Sequence, residues 1–390
     1  MRTAPFAVVS LSLTTLLALA ACDMDPAGTS QAGAPEKTSA TPAASPSDPL
    51  AAHDPAIGQP IDPAQADDQP RPVMQAQVVL DRLGFTPGVV DGKEGLSTRN
   101  AVAGFQEAKG LTITGQLDEP TRHALAQWNN IPATRVITIP AAFASGQFAP
   151  LPEQPEAQAK LSALGYESLD EKLAERFHTT VETLQALNPR PGTPPPTATA
   201  TATATPPAGT SYFKAGDKVR VPNVGADIID PAAVTDADWR NTLASLGVGS
   251  SQPKVDKIVV SKSKGTLKAY DGAGKLVGMF TATMGSEHDP LPLGNWKVKG
   301  VAHNPPFHYN PKLFWDVSDS KDKQLLPPGP NGPVGVAWID INKPHYGIHG
   351  TPHPETIGRA ESHGCVRLTN WDVARLSQMV NPGTQIVFEA

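Results

Sequence analysis

The C-terminal third of the chain, about residues 253–390, carries short apolar and β-branched runs separated by turn residues. Runs of this length and composition are typical of strands. We predict strands over Ile258–Ser261, Thr266–Tyr270, Leu276–Thr283, Trp296–Val301, Val334–Ile341 and Gln385–Glu389. One segment near the end has helical spacing instead, and it follows a capping residue, Thr369 or Asn370. The pattern predicts a mainly-β, β-sandwich-like region with one or two helices.

Residues 72–130 have the apolar periodicity of helices and predict a small all-α unit of three helices. A first helix should end at Gly84, and Ser97 is expected to be the N-cap of a second. Asp118 and Pro120 should begin a third helix, which runs as far as Trp128. This unit is long enough to be a separate small domain.

Residues 158–222 predict a smaller α+β unit. Two short helices are expected over Leu169–Phe177 and Val181–Leu187, and a strand is expected near Val219–Pro222. A tract of Thr, Ala and Pro at 189–210 separates the helices from the strand. An insertion of that length costs little closure entropy, so the unit can tolerate it.

The N-terminal residues predict export and a tether. The apolar run Phe6–Ala18 is too short for a stable membrane span and has the character of a signal peptide over 1–21. Residues 22–71 are rich in Ala, Pro, Asp and Ser, so they cannot bury enough apolar area to fold and are expected to be disordered.

Composition restricts the class of partner. The formal net charge is −6, which argues against nucleic acid because a nucleic-acid binder needs a basic face. The chain has 2 cysteines, Cys22 and Cys365. If Cys22 is consumed by processing, Cys365 has no disulfide partner, and a free thiol outside the cytosol is an oxidation hazard unless it has a function.

The surroundings of Cys365 favour a catalytic thiol. Ser362-His363-Gly364-Cys365-Val366-Arg367 places a histidine beside it, and His349-Gly350 lies sixteen positions before it. A thiol nucleophile needs such a base. Gly364 has no side chain, so the amides of Gly364 and Cys365 can approach an acyl group and stabilise its oxyanion.

A zinc site is the alternative use of these residues. His345, His349 and His353 recur every four positions, with His363 and Cys365 downstream. Proline and glycine within this segment exclude a continuous helix, and the spacing does not fit common Cys/His zinc patterns. We therefore expect no metal and no other cofactor.

The C-terminal motifs resemble those of the L,D-transpeptidase (YkuD-type) family. Tyr346-Gly347-Ile348-His349-Gly350-Thr351 and Ser362-His363-Gly364-Cys365-Val366-Arg367-Leu368 carry this resemblance. It implies acyl transfer on peptidoglycan stem peptides, with Cys365 as nucleophile and His349 as the base, oriented by the Gly350 carbonyl. His363 would shape the oxyanion side or the cleft, although it could equally be a structural histidine.

Three further residues are assigned to substrate binding: Ser362, Arg367 and Tyr346. Arg367 could bind a substrate carboxylate, or it could form a buried ion pair that holds the cysteine loop. Ser362 could act mainly as a hydrogen-bond support. The residues themselves leave these alternatives open.

The upstream segments also resemble known modules. Leu83-Gly84-Phe85, Asp91-Gly92 and Phe105-Gln106 are similar to the three-helix peptidoglycan-binding module. Residues 158–222 look like a LysM glycan-binding module. Leu19-Ala20-Ala21-Cys22 resembles a lipoprotein signal, which implies diacylation of Cys22 and a periplasmic enzyme anchored by lipid to either membrane.

The acceptor of the acyl group is not specified by the sequence. An amine of a second stem would give a cross-link, a protein lysine would attach a lipoprotein to the wall, and water would make the enzyme a carboxypeptidase or endopeptidase. A wall-binding tether without catalytic activity is a further alternative, against which the intact His349, His363 and Cys365 argue.

Overall fold

The structure is a computed structural model that describes residues 67, 69–190, 211–225, 228–313, 317–318 and 321–390. The expected signal peptide, Cys22, nearly all of the tether and almost all of the Thr/Ala/Pro insertion lie outside the described residues. No helix in the described ranges is long and apolar enough to cross a membrane.

The described chain contains the following regular elements. The helices are α1 (Pro72–Arg82), α2 (Leu96–Ala108), α3 (Glu119–Leu125), α4 (Ala141–Ala144), α5 (Pro155–Gln158), α6 (Leu169–Arg176), α7 (Val181–Leu187), α8 (Ala237–Leu246) and α9 (Asn370–Met379). The early strands are β1 (Phe85–Thr86), β2 (Thr134–Thr138) and β3 (Lys218–Pro222). The later strands are β4 (Lys257–Ser261), β5 (Thr266–Tyr270), β6 (Leu276–Thr281), β7 (Thr283–Met284), β8 (Gly294–His303), β9 (Phe307–Tyr309), β10 (Gln324–Leu326), β11 (Ala337–Ile341), β12 (Gly347–His349), β13 (Val366–Arg367) and β14 (Gln385–Glu389).

The C-terminal region is mainly β, as the sequence predicts. In the described residues its strands join β1 in a ten-stranded sheet of order β1-β6-β5-β4-β14-β8-β11-β12-β13-β7. The long strand β8 pairs with β14 along its first half and with β11 along its second half. Side chains from both halves of the sheet, and from α8 and α9, share one apolar core. The predicted site residues His349 and Cys365 therefore lie on or next to strands of a sheet that packs on this core.

The helical unit 72–130 also forms as expected, except at the start of its second helix. The sequence interpretation of Ser97 as the N-cap is wrong, because α2 begins at Leu96 with Gly95 as its extended N-cap. Gly95 has no side-chain cap, and its carbonyl accepts the first intrahelical hydrogen bond, from the Arg99 amide, at 3.0 Å. Asp118 caps α3 as predicted, since its side chain accepts from the Thr121 amide.

The middle of the chain forms a βααβ unit, which we define as residues 134–222. Strands β2 and β3 pair antiparallel, and α6 and α7 lie between them in sequence. The first strand, Thr134–Thr138, precedes the expected start at residue 158. The two helices lie where the sequence predicts them. The two helices and the last strand follow the predicted order, whereas β2 was not predicted; the likeness to LysM and the glycan-binding role stay predictions.

The helical unit contributes one strand to the ten-stranded sheet of the C-terminal region. Strand β1 pairs parallel with β6, so that Phe85 is opposite Met279. Phe85, Leu276 and Met279 belong to the same core cluster as α1 and α2. At the centre of the molecule Asp81 of α1 is buried and forms two hydrogen bonds with Arg375 of α9, at 3.0 and 2.8 Å. Its carboxylate also faces Nδ1 of His178 at 3.2 Å, so three parts of the chain meet at one ion pair.

Candidate active site

Two neighbouring parallel strands bring the predicted nucleophile and base together. Cys365 immediately precedes β13, and His349 is the last residue of β12. The strands pair in a register that puts His349 beside Arg367, and the Leu368 amide donates to the His349 carbonyl at 2.9 Å. The cysteine loop is therefore fixed against the histidine strand by backbone hydrogen bonds.

His349 is held in one orientation. Its ring is buried, its Nδ1 lies 2.7 Å from the Gly350 carbonyl, and it stacks on Trp338 of β11 at 5.4 Å between ring centroids. Because the carbonyl can only accept, Nδ1 carries the proton and Nε2 keeps its lone pair. Burial, helped by the charge of Arg367, lowers the pKa of His349 to about 4. The ring is therefore neutral at neutral pH and able to accept a proton.

Cys365 is half-buried, and its Sγ lies 3.8 Å from the His345 carbonyl. Burial raises the pKa of the Cys365 thiol, although a hydrogen bond from the Gly347 backbone and the charge of Arg367 act in the opposite direction. The thiol is therefore protonated at neutral pH and needs a base to become a nucleophile.

Gly364 allows the tight turn into the cysteine. Its φ of +93° lies in the left-handed region that disfavours side chains. A Cβ at this position would lie 2.6 Å from Cε1 of Tyr346, so the tyrosine ring packs directly on the Gly364 backbone. Tyr346 is half-buried, and burial raises its pKa. The ring thus forms part of the surface next to the thiol.

Ser362 fastens the cysteine loop to the loop that follows β7. Its buried hydroxyl accepts the Gly285 amide at 2.6 Å and donates to the Cys365 carbonyl at 2.6 Å. These two bonds occupy the hydroxyl within the protein. The geometry corresponds to the supporting role that the sequence left open for Ser362.

Arg367 lies beside the base and the thiol. It is half-buried, and its Nε has no hydrogen-bond partner within the described part of the chain. Burial lowers its pKa, and the Cys365 charge opposes this effect. No carboxylate in the described ranges forms a salt bridge with it, so its charge is not neutralised within this part of the chain. His363 is half-buried next to Gly364.

Sequence reasoning missed three residues at this site. Trp338 stacks on His349, and Asn370 packs on Gly350 from the start of α9. Asp289, in the loop after β7, has a buried Oδ2 that lacks a hydrogen-bond partner among the described residues. The negative charge of Asp289 adds to the raised pKa of both Tyr346 and Cys365, so it lies near both side chains. Two of them carried a structural signal: Trp338 alternates along a predicted strand, and Asn370 was a candidate cap of α9, although Thr369 is the N-cap.

The histidines at 345, 349 and 353 do not gather into a metal centre. In the ranges that the structure describes, no group of three His, Cys, Asp or Glu side chains could hold a metal ion. His349 uses Nδ1 for the Gly350 carbonyl, and His345 is in a left-handed conformation with φ of 66°.

Comparisons with known proteins match both the catalytic region and the helical unit. Residues 256–388 match the family model described as “L,D-transpeptidase catalytic domain”, and residues 69–125 match the model described as “Putative peptidoglycan binding domain”. These matches bear out the two family resemblances noted in the sequence at those segments.

Similar proteins extend the family match. The chain is 38% identical over 148 residues to the “Putative L,D-transpeptidase in ATP synthase subunits region ORF 5” of Fuscovulum blasticum, which covers 38% of this chain and 73% of that protein. The chain belongs to the L,D-transpeptidase family. It is also 42% identical over 135 residues to the “Probable L,D-transpeptidase YbiS” of Escherichia coli, with coverage of 34% and 44%.

Other relatives of the family match over shorter segments. The chain is 49% identical over 59 residues to the “Putative L,D-transpeptidase YkuD” of Bacillus licheniformis, which is 15% of this chain. It spans about a third of the length of the two Bacillus YkuD proteins, 36% and 35%. A crystal structure of L,D-transpeptidase 3 from Mycobacterium tuberculosis with a faropenem-derived adduct aligns at 20% identity and a TM-score of 0.29, over 37% of this chain and 62% of that one.

Within this member of the L,D-transpeptidase family, the βααβ unit lies outside both family models. The predicted site residues of the two sequence motifs lie between Tyr346 and Arg367, inside the segment that matches the catalytic-domain model. The chemistry of the site can therefore be argued from one continuous region.

Proposed function

We propose that the protein is a cysteine-dependent acyltransferase that forms L,D cross-links between peptidoglycan stem peptides. The observation that carries this proposal is the neutral His349, whose Nδ1 is held by the Gly350 carbonyl, on the strand beside the protonated Cys365 thiol. A neutral base next to a neutral thiol suits nucleophilic catalysis by proton transfer.

In the first half-reaction, Nε2 of His349 takes the thiol proton while Sγ of Cys365 attacks the carbonyl carbon of the third stem residue. The amides of Gly364 and Cys365 stabilise the oxyanion that forms. The C–N bond to the terminal D-residue then breaks, and its amine leaves with the proton from His349. A thioester on Cys365 remains.

In the second half-reaction, the amine of another stem peptide attacks the thioester carbonyl. His349 removes a proton from the attacking amine and returns it to the departing sulfur. A new amide bond is formed, and the thiol of Cys365 is restored. No cofactor enters either step.

Substrate recognition uses the charged and aromatic groups around the thiol. Arg367 binds a carboxylate of the stem peptide, and Tyr346 provides an apolar wall next to Gly364. Ser362 holds the cysteine loop in place through Gly285, and His363 shapes the oxyanion side of the cleft. These roles are supported by the half-buried guanidinium and by the hydrogen bonds of Ser362.

The accessory parts place the enzyme at the wall. The match of residues 69–125 to a peptidoglycan-binding family supports peptidoglycan as the partner of the helical unit. The resemblance of the βααβ unit to LysM supports a glycan ligand there. The signal at 1–21 and Cys22 support a periplasmic protein that is anchored by lipid.

The experiment that tests this function offers purified enzyme a defined disaccharide-tetrapeptide and follows the products by mass spectrometry. A cross-linked dimer that has lost one terminal D-residue is expected from the wild type, and none from Cys365→Ala. Release of the D-residue without a dimer would instead indicate water as the acceptor. A conjugate between the stem peptide and an added lysine-bearing peptide, formed without any dimer of stem peptides, would indicate that a protein lysine is the acceptor. Equal product formation by Cys365→Ala would contradict the thiol mechanism.

A further inference from the structure

Glu175 of the βααβ unit is buried against the catalytic region. It is 4% exposed, and it lies on α6, outside the segment that matches the transpeptidase domain. Its Oε2 accepts the Tyr166 hydroxyl at 2.8 Å, and its Oε1 accepts Nδ2 of Asn370 at 2.8 Å. The second bond joins residues 195 positions apart in sequence. A carboxyl group from an accessory unit thus binds the first residue of α9.

Asn370 also contacts the segment that carries the base His349. Its Nδ2 also donates to the Pro330 carbonyl at 3.0 Å, and its Oδ1 accepts the Val336 amide at 3.3 Å. A Cβ at Gly350 would lie 2.3 Å from Oδ1 of Asn370, so the amide packs directly on the Gly350 backbone. Asn370 is fully buried. A change in its position must therefore move Gly350 or create a void.

The Gly350 peptide fixes the ring of the base. Its amide donates to the Val334 carbonyl at 3.0 Å, and its carbonyl holds Nδ1 of His349 at 2.7 Å. A series of buried contacts therefore runs from Glu175 through Asn370 and Gly350 to His349. Displacement of a catalytic group by about 1 Å can cost about a hundredfold in rate.

We propose that Glu175, supplied by the βααβ unit, is a positioning residue for the catalytic base His349, so that this unit completes the active site. The inference rests on the proposed function for its effect on turnover, but the position of the His349 ring can be tested without it. The βααβ unit holds the same catalytic segment at a second place, since the Leu164 amide donates to the Pro328 carbonyl at 2.9 Å.

Burial of the Glu175 carboxyl group is unfavourable for stability, and this fits a residue that positions another group. Burial raises the pKa of Glu175 to about 8, and the nearby Glu171 adds to this, although hydrogen bonds from Tyr166 and Asn370 oppose it. The groups that face the carboxyl are thus Tyr166 and Glu171 from its own unit and Asn370 from α9. A buried carboxyl usually reduces stability relative to an apolar side chain of similar volume.

The test compares Glu175→Met with Glu175→Gln and a matched control. Methionine fills the space without burying a carboxyl, so it should keep the fold while it removes the acceptor for Asn370. Glutamine retains an oxygen that can accept from Asn370. Asp170→Ala is the control, because Asp170 lies on the same helix and is also buried, but its hydrogen bonds among the described residues come from the Tyr212 and Phe213 amides of its own unit.

Two readouts are measured on the full chain: the rate of Cys365 acylation by a carbapenem across pH, and the NMR signals of the His349 ring. We expect Glu175→Met to stay folded, with an unfolding midpoint somewhat below that of the wild type because the Tyr166 hydroxyl loses its acceptor, to show shifted His349 signals, and to acylate about ten to a hundred times more slowly. Glu175→Gln should recover most of the rate, and Asp170→Ala should keep it.

A wild-type rate and unshifted His349 signals in folded Glu175→Met would overturn the proposal. An equal loss of rate in Asp170→Ala would also overturn it, since the effect would then be general destabilisation of the unit. If the wild type acylates but forms no cross-link, the proposed function fails while the shifts of His349 still decide the role of Glu175.

Discussion

At the scale of single residues, burial sets the chemistry of the site. It lowers the pKa of His349 to about 4 and raises the pKa of Cys365, so both effects favour the uncharged pair. Many reactive cysteines are instead ion pairs with a lowered thiol pKa. In the proposed mechanism the thiol becomes a nucleophile only while its proton is being transferred, and a thiol that stays protonated between turnovers would resist oxidation.

The first prediction follows from the neutral pair. Acylation of Cys365 should stay active through mildly acidic pH and fall only as the pH drops through about 4, because His349 becomes protonated there. His349→Ala should lose about 10²–10⁴-fold in acylation rate and also lose this acidic limb. The measurement is the pH dependence of carbapenem acylation, monitored by intact-protein mass spectrometry.

His363→Ala is the comparison for this experiment, and it should keep the acidic limb even if its rate falls. If the limb vanished in His363→Ala and persisted in His349→Ala, the base would be the other histidine. A limb near pH 6.5 in the wild type would mean that the His349 ring is more exposed to water than its surroundings indicate.

The second prediction concerns the turn at Gly364. Gly364→Ala forces a Cβ into a left-handed backbone and against the Tyr346 ring. Gly383→Ala is the matched control, because Gly383 has a similar φ of +96° but no atom within 4 Å of its Cβ position. Both variants should lose about 1–2 kcal/mol of stability, measured by urea unfolding. Only Gly364→Ala should also slow acylation, and equal rates in the two variants would show that the Tyr346 contact does not shape the site.

At the scale of elements, the sequence predicted the long strands and α9 because alternating or helical periodicity extends over five or more residues. Strands β12 and β13, which position His349 and Cys365, have three and two residues, and such short segments carry no period. Their pairing depends on tertiary contacts. The motifs predicted His349 and Cys365 as the catalytic pair, but periodicity could not place their strands side by side.

The third prediction concerns the ion pair between α1 and α9. Asp81→Ala leaves the buried Arg375 charge without its carboxylate, which should cost about 3–5 kcal/mol of unfolding free energy. Asp340→Ala is the control, since it breaks the Lys299 pair at the surface and should cost less than about 1 kcal/mol. Urea unfolding measures both variants. A loss of unfolding free energy in Asp81→Ala as small as that in Asp340→Ala would mean that Arg375 finds another partner or water in the variant.

At the scale of the whole molecule, the sequence suggested units connected by polar chain, while the described residues belong to one compact unit. Nothing in the sequence links Asp81 to Arg375 or Glu175 to Asn370, which are 294 and 195 positions apart. Single polar residues in helices are compatible with solvent-exposed faces, so their burial is apparent only after the units pack together. The accessory units therefore pack against the catalytic region through buried polar contacts and contribute to its stability.

The last prediction concerns removal of the helical unit, residues 72–130. The truncated chain loses β1 from the edge of the sheet, uncovers Leu276 and Met279, and leaves Arg375 without Asp81. Exposure of apolar surface and of a buried charge should lower the unfolding free energy by several kcal/mol. We therefore expect turnover of soluble muropeptides to fall together with sacculus binding. Urea unfolding and both assays on the same preparation test this, and wild-type stability with wild-type turnover in the truncated chain would show that the units are independent.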